Sequence, residues 1–149
     1  MTLRPSFTQM WNHFSDINRS VPQVGKIIGG KVEANINSNI FRNACALRMS
    51  YALNRSGIKI PRNESRWKTS SGADKNWYIY RVDDMVAFLD DRFGNADITS
   101  DFSGEKGIML FNVSGWSDAT GHVTLWDGMT CSDQCYFPQA SGVKQWILK

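Results

Sequence analysis

The chain has 149 residues, 42% hydrophobic and 21% charged, with 17 Lys and Arg against 14 Asp and Glu for a net charge of +3. That length carries a core without help from disulfides or metal, and the composition excludes disorder, collagen-like repeats and a membrane-embedded chain. The basic residues are scattered, with neither a stripe nor a recognition motif, which speaks against nucleic acid as a partner.

One domain over residues 1–149 is expected, with no linker and no internal repeat. The start, Met1-Thr-Leu-Arg-Pro-Ser-Phe7, lacks a basic stretch followed by an apolar one, and no run approaches the ~18 apolar residues of a membrane span. The expectation is a chain made in the cytosol without a Sec leader and without membrane insertion. Asn-x-Ser triplets at Asn18, Asn54, Asn63 and Asn112 would matter only on a eukaryotic secretory route and are taken as chance. The six Trp read first as core and second as platforms for sugars or peptides.

Phe7, Met10, Trp11, Phe14 and Ile17 recur at helical spacing after Ser6 or Thr8 and predict an amphipathic helix near residues 7–18. His13 lies off that stripe and reads as a surface residue. Residues 21–43 are rich in Gly and Asn and read as loop with at most one short strand. Within them, Gly25-Lys-Ile-Ile-Gly-Gly30-Lys31-Val32 approaches a phosphate-binding loop by spacing. It fails because Val32 stands where Ser or Thr must ligate magnesium and because a poor helix start follows.

Residues 44–56 are good helix formers and apolar around much of the circumference, with Asn43 as cap and Gly57 at the C′ position. Cys45 then falls in the first turn of a buried central helix, where free N–H groups and the dipole favour a thiolate. Residues 77–82 alternate as a strand and lead into an acidic-started helix that ends at Gly94. Residues 107–113 are a short apolar run suited to a strand buried on both faces. Residues 121–126 alternate again up to Asp127-Gly128, a hairpin signal that places the next strand near Met129. Residues 143–148 supply a last strand. Helices first and antiparallel strands after make an α+β fold.

Cleaving an amide takes an activated nucleophile, an oriented base and donors for the oxyanion. Of the two His, His122 alone lies on a strand, facing the same side as Thr124 and Trp126. No Gly-x-Ser-x-Gly elbow exists, and Cys45 precedes His122 in the order of papain-like enzymes. Its other reading is that of a small buried hydrophobe, the commoner role of a free cysteine. In Cys131-Ser-Asp-Gln-Cys135 a zinc site lacks further ligands, so neither metal nor cofactor is expected; a disulfide would need a tight turn and an oxidising environment. Asp133 could orient the imidazole, with Asp127 a rival better suited to a turn. The oxyanion is assigned to the Cys45 N–H and a second donor, for which Asn39 and Asn43 are the candidates. Trp116 and Asn43 are the candidate substrate contacts.

The segments Ile-Ile-Gly-Gly-Lys, Asn43-Ala-Cys45-Ala-Leu-Arg-Met-Ser-Tyr, Tyr78-Ile-Tyr-Arg-Val-Asp-Asp-Met85, Gly115-Trp-Ser-Asp-Ala-Thr-Gly-His122-Val-Thr-Leu-Trp-Asp-Gly and Cys131-Ser-Asp-Gln-Cys135 closely resemble the fourth family of type VI secretion amidase effectors. The resemblance runs over nearly the whole chain, with the motifs in the same order. It implies a papain-like, NlpC-type fold and a DL-endopeptidase that cuts between D-glutamate and meso-diaminopimelate in Gram-negative peptidoglycan. Carried over by motif, the nucleophile falls on Cys45, the base on His122 and the orienting acid on Asp133, with a Cys131–Cys135 disulfide around that acid. It further implies injection by the type VI apparatus into a neighbour's oxidising periplasm, and a cognate immunity protein that plugs the cleft. Two other readings stand beside it: a non-enzymatic wall or carbohydrate binder using Trp116 and Trp126, and a cysteine protease or deamidase acting on proteins.

Overall fold

The computed structural model describes residues 3–116 and 120–149. Residues 117–119, part of the motif that precedes His122, lie outside the described residues. Helix α1 (Phe7–Ile17) buries Phe7, Met10, Phe14 and Ile17, and the Ser6 hydroxyl accepts from the Gln9 N–H at 3.3 Å. The helical stripe in the sequence thus becomes the face packed on the central helix α4 (Cys45–Arg55).

Between them the structure departs from the expected loop. Residues 21–43 hold two helices, α2 (Val21–Ile28) and α3 (Gly30–Asn37). Val24, Ile28, Val32 and Ile36 are all buried, a four-residue repeat that the Gly and Asn content obscured. The helices break at Gly29 and Gly30, both at positive φ (71° and 62°). A Cβ on Gly30 would sit 2.7 Å from the Gly72 backbone, so only glycine permits this corner against the neighbouring hairpin. The stretch that mimics a phosphate loop is therefore a helix–turn–helix corner packed on protein.

The sides of α4 explain its polar buried residues. The Ser50 hydroxyl accepts from the Ile79 N–H at 2.9 Å, and the Asn54 amide donates to the Trp77 carbonyl at 2.9 Å. These bonds stitch α4 to strand β2 (Trp77–Ile79), which pairs antiparallel with β1 (Thr69–Ser71). Gly57 follows the helix at φ 89°, as its C′ position requires. Strand β2 is shorter than the alternation suggests because helix α5 (Val82–Phe93) already begins at Val82; it ends at Gly94 at φ 81°.

The second sheet has the order β4-β3-β5, with β3 (Gly107–Asn112) central, β4 (Gly121–Trp126) and β5 (Gly142–Ile147) on its flanks, and antiparallel pairing throughout. One face, with Ile108, Leu110, Val123, Leu125 and Trp146, joins α1, α4 and α5 in the main core. The other, with Met109, Phe111 and Trp126, is covered by the chain around Phe102 and Tyr136. That double cover is why β3 is apolar on both sides. No strand starts at Met129. Asp127 takes the N–H groups of Met129 and Thr130 at 2.9 and 2.7 Å, Gly128 turns at φ 100°, and between this turn and β5 the described residues pair only through a lone bridge from Trp126 to Cys131. The Asp-Gly turn thus leads into a loop that folds back under the sheet rather than into a hairpin. Helices with antiparallel sheets make the fold α+β, as expected.

Candidate active site

Cys45 is the first residue of α4 and only 1% exposed. The N-cap position falls on Ala44, one residue past the expected Asn43, whose side-chain oxygen instead accepts the Cys45 N–H at 2.9 Å in a local turn leading into the helix. The same bond alters the oxyanion assignment, because the Cys45 N–H is already taken by Asn43. Asn39 ends its helix at φ 63° and is not part of the groove wall.

His122 stands near the start of edge strand β4, with its side chain on the face shared by Thr124 and Trp126. The Cys45 side chain is close enough to the ring to act on its charge, and Nε2 lies 2.9 Å from Asp133 Oδ2. That approach is oblique: the Nε2–H does not point along a straight hydrogen bond, so the contact is best described as a close ion pair. The other Asp133 oxygen, Oδ1, accepts from the Thr124 hydroxyl at 2.5 Å and from the Gln134 N–H at 2.6 Å. Around this acid the Cys131–Cys135 disulfide closes the tight turn, with Cα atoms 5.4 Å apart. Cys45 is the one free cysteine.

The charges follow from this packing. Burial pushes the imidazole toward neutrality, but the Asp133 carboxylate and the Cys45 sulfur outweigh it and raise His122 from 6.5 to about 9. Burial likewise opposes ionisation of Asp133, and the charge of His122 with the hydrogen bonds from Thr124 and Gln134 overcomes it, holding the carboxyl below its ordinary value. At neutral pH the pair is imidazolium and carboxylate.

These groups open into a groove of about 420 Å³ whose walls include Arg42, Asn43, Arg48, Trp116 and Tyr136. Tyr136 packs edge-on against both His122 (centroids 4.8 Å apart) and Trp116 (4.9 Å), walling the imidazole off on one side. Trp116 and Asn43, the expected substrate contacts, thus both reach the groove. Trp126 does not: it is buried, and its Nε1 donates to the Phe102 carbonyl at 2.9 Å, which removes one of the two platforms of the carbohydrate-binder reading. Asp127 is spent on its turn and His13 lies on α1, neither of them at the groove. Among the described residues no cluster of His, Cys, Asp or Glu could hold a metal, and no helix is long and apolar enough to cross a membrane.

Arg48 and Tyr136 were not singled out in the sequence. Arg48 carried a readable signal, since it follows Cys45 by three residues on one helix and so shares its face. Tyr136 carried none, because it reaches the groove only through the fold-back of the disulfide loop.

A helix-borne thiol facing a histidine–aspartate pair presented by an antiparallel sheet is the papain-like, NlpC-type arrangement. Residues 41–146 match the family described as type VI secretion system amidase effector protein 4, and the chain belongs to that family. It is similar, at 46% identity, to the effector in the Tae4–Tai4 effector–immunity complex of Enterobacter cloacae, over 99% of this chain and 100% of that one, with a TM-score of 0.93. The Enterobacter cloacae effector Tae4 solved alone is 47% identical over 99% of both chains (TM-score 0.92). The effector of the Salmonella Typhimurium Tae4–Tai4 complex is 46% identical over 99% of this chain and 100% of that one (TM-score 0.92). A comparison with curated protein sequences finds no match.

Proposed function

We propose that this amidase effector is a cysteine DL-endopeptidase, with residues 1–149 acting as one catalytic domain on the bond between γ-D-glutamate and meso-diaminopimelate in Gram-negative peptide stems. The observation that carries the reading is His122 and Asp133 2.9 Å apart at a groove whose wall includes Asn43 and Ala44, the two residues that lead into Cys45. The Cys45 sulfur, its proton taken by His122, attacks the glutamyl γ-carbonyl carbon. The tetrahedral oxyanion collapses as the C–N bond breaks, and the imidazolium gives its proton to the departing diaminopimelate amine. His122 then takes a proton from water, whose oxygen displaces the thiolate from the thioester and frees the glutamyl carboxylate. Asp133 holds the imidazole in place and stabilises its charged form. The positive end of α4 favours both thiolate and oxyanion; use of the Cys45 N–H there requires Asn43 to release it.

The type VI apparatus delivers the chain to the periplasm of a target bacterium. The disulfide beside Asp133 suits that oxidising compartment. A cognate immunity protein of the producing cell plugs the groove; the structures of similar effectors with the immunity protein Tai4 support this partner. The test is incubation with purified muropeptides followed by mass spectrometry, wild type against Cys45→Ala and His122→Ala. Both variants are expected to fold and to lose activity by ~10³ or more. A folded Cys45→Ala that still releases diaminopimelate-containing fragments would sink the assignment, and binding of sacculi without release would point to the wall-binder reading instead.

A further inference from the structure

Arg48 follows Cys45 by one turn of α4 and lines the same groove. Its Nη2 donates to the Arg19 carbonyl at 2.7 Å, which fixes the guanidinium, while its Nε is buried and has no hydrogen-bond partner. Among the described residues no carboxylate lies within ion-pair distance of it. A half-buried guanidinium without a counter-charge is costly unless a ligand supplies one. Among the described residues that line the groove the one acid is Asp133, and it is committed to His122, Thr124 and Gln134. Arg42, exposed on the rim, adds a second positive charge. The groove therefore offers a fixed cation for which the described residues supply no counter-charge.

A γ-linked glutamyl residue carries such an anion. Its side-chain carbonyl forms the scissile amide, so its α-carboxylate stays free, roughly 5 Å from the reacting carbon when extended. The step from Cys45 to Arg48 is about 4.5 Å along the helix axis. An α-linked peptide of uncharged residues has no free carboxylate at that position. An α-linked glutamate carries one but attaches the preceding residue next to the reacting carbon instead of beside the carboxylate. Resting on the substrate class proposed above, we infer that Arg48 is a positioning residue that binds the free α-carboxylate of the γ-glutamyl unit and so selects γ-linked stems. A planar guanidinium suits this task because it accepts a carboxylate in a fixed orientation.

The experiment compares two synthetic stems, L-Ala-γ-D-Glu-meso-diaminopimelate-D-Ala and the same peptide with the glutamyl α-carboxyl amidated, cut by wild type, Arg48→Gln and Arg48→Lys. Wild type is expected to lose about tenfold or more in kcat/KM on the amidated stem. Arg48→Gln, which can still reach the Arg19 carbonyl, should cut both stems at the same low rate, and Arg48→Lys should restore part of the preference. Equal wild-type rates on the two stems would overturn the assignment while leaving the substrate reading intact. Discrimination that survives in Arg48→Gln would reduce Arg48 to a structural tie. Wild type cutting neither stem would refute the substrate reading itself, and the inference with it. Should Arg48→Gln fail to fold, the wild-type comparison decides alone.

Discussion

Nε2 of His122 lies 2.9 Å from Oδ2 of Asp133, a contact that couples edge strand β4 to the disulfide-closed loop beneath it. The two residues are eleven apart in sequence, yet each is fixed by a different structure, the histidine by strand register and the aspartate by a tight turn. Asp133→Ala removes the partner of the imidazolium and leaves the thiol and ring in place. A fall in kcat of about ten- to a hundredfold is expected, milder than for Cys45→Ala. Steady-state kinetics on muropeptides measures it, and an unchanged rate would take the orienting role away from Asp133.

The pH dependence follows from the two shifts. His122 is raised in the folded protein to about 9 from 6.5, so its contribution to stability is fully present below about pH 6.5 and is lost as pH rises through 9. Asp133 is lowered, so its contribution is present above the ordinary carboxyl range and is lost as pH falls through its folded value. The histidine term is on the order of 3 kcal/mol at most. Thermal melts between pH 6 and 10 should show wild type losing Tm in the alkaline half. His122→Gln should be flatter there; a parallel decline in both proteins would show that the pair is not its source.

Thr124→Val keeps the shape of a buried strand residue and deletes the hydroxyl that donates to Asp133 Oδ1. The carboxylate retains the Gln134 N–H, so a loss of about 1 kcal/mol is expected rather than unfolding. Urea denaturation gives the number, and a variant as stable as wild type would make this short contact energetically silent.

Opening the Cys131–Cys135 bond frees the loop that carries Asp133 and Tyr136. Because the closed ring is short, the cost is about 2 kcal/mol, or roughly 5 °C in Tm, with activity falling alongside. Melts with and without reductant, and the Cys131→Ser/Cys135→Ser double variant, check this. Thiol counting on oxidised protein should find one free thiol, that of Cys45; three would rule the bond out.

Gly121 and Gly107 offer a paired test of strand contacts. A Cβ on Gly121 would meet the Phe111 carbonyl oxygen at 2.2 Å, and one on Gly107 the Trp146 carbonyl oxygen at 1.9 Å. Both Ala variants should lose about 2 kcal/mol or more in denaturant melts. Gly121→Ala forces a shift beside His122 and should also depress kcat at a temperature where both proteins are folded. Equal kcat values in the two variants would show that β4 absorbs the strain without moving the imidazole.

Much of this architecture was legible in one dimension. The stripe from Phe7 to Ile17, the apolar turns around Cys45, and the run from Gly107 to Asn112 each satisfy a period that burial imposes locally. Only two histidines narrow the base to His122 before any coordinates exist. The misses have physical causes as well. Residues 21–43 looked like loop because Gly and Asn weaken helix propensity, and packing of Val24, Ile28, Val32 and Ile36 on the second apolar cluster overrode it. The strand expected near Met129 failed because the loop that follows Asp127-Gly128 is drawn under the sheet by the disulfide and by Tyr136.

By itself the sequence determined which faces are apolar, where helices may start and stop, and which few side chains could serve as thiol, base and acid, since these depend on neighbours within a turn or two of the chain. Tertiary structure alone decided that His122 and Asp133 share a groove with the residues leading into Cys45, that Asn43 holds the Cys45 N–H, that Thr124 braces Asp133, and that Arg48 meets no carboxylate among the described residues. Those relations connect residues whose proximity is created by the packing of α4 against β4 and by a crosslinked loop, and no local period encodes a distance between segments that meet only when the core closes.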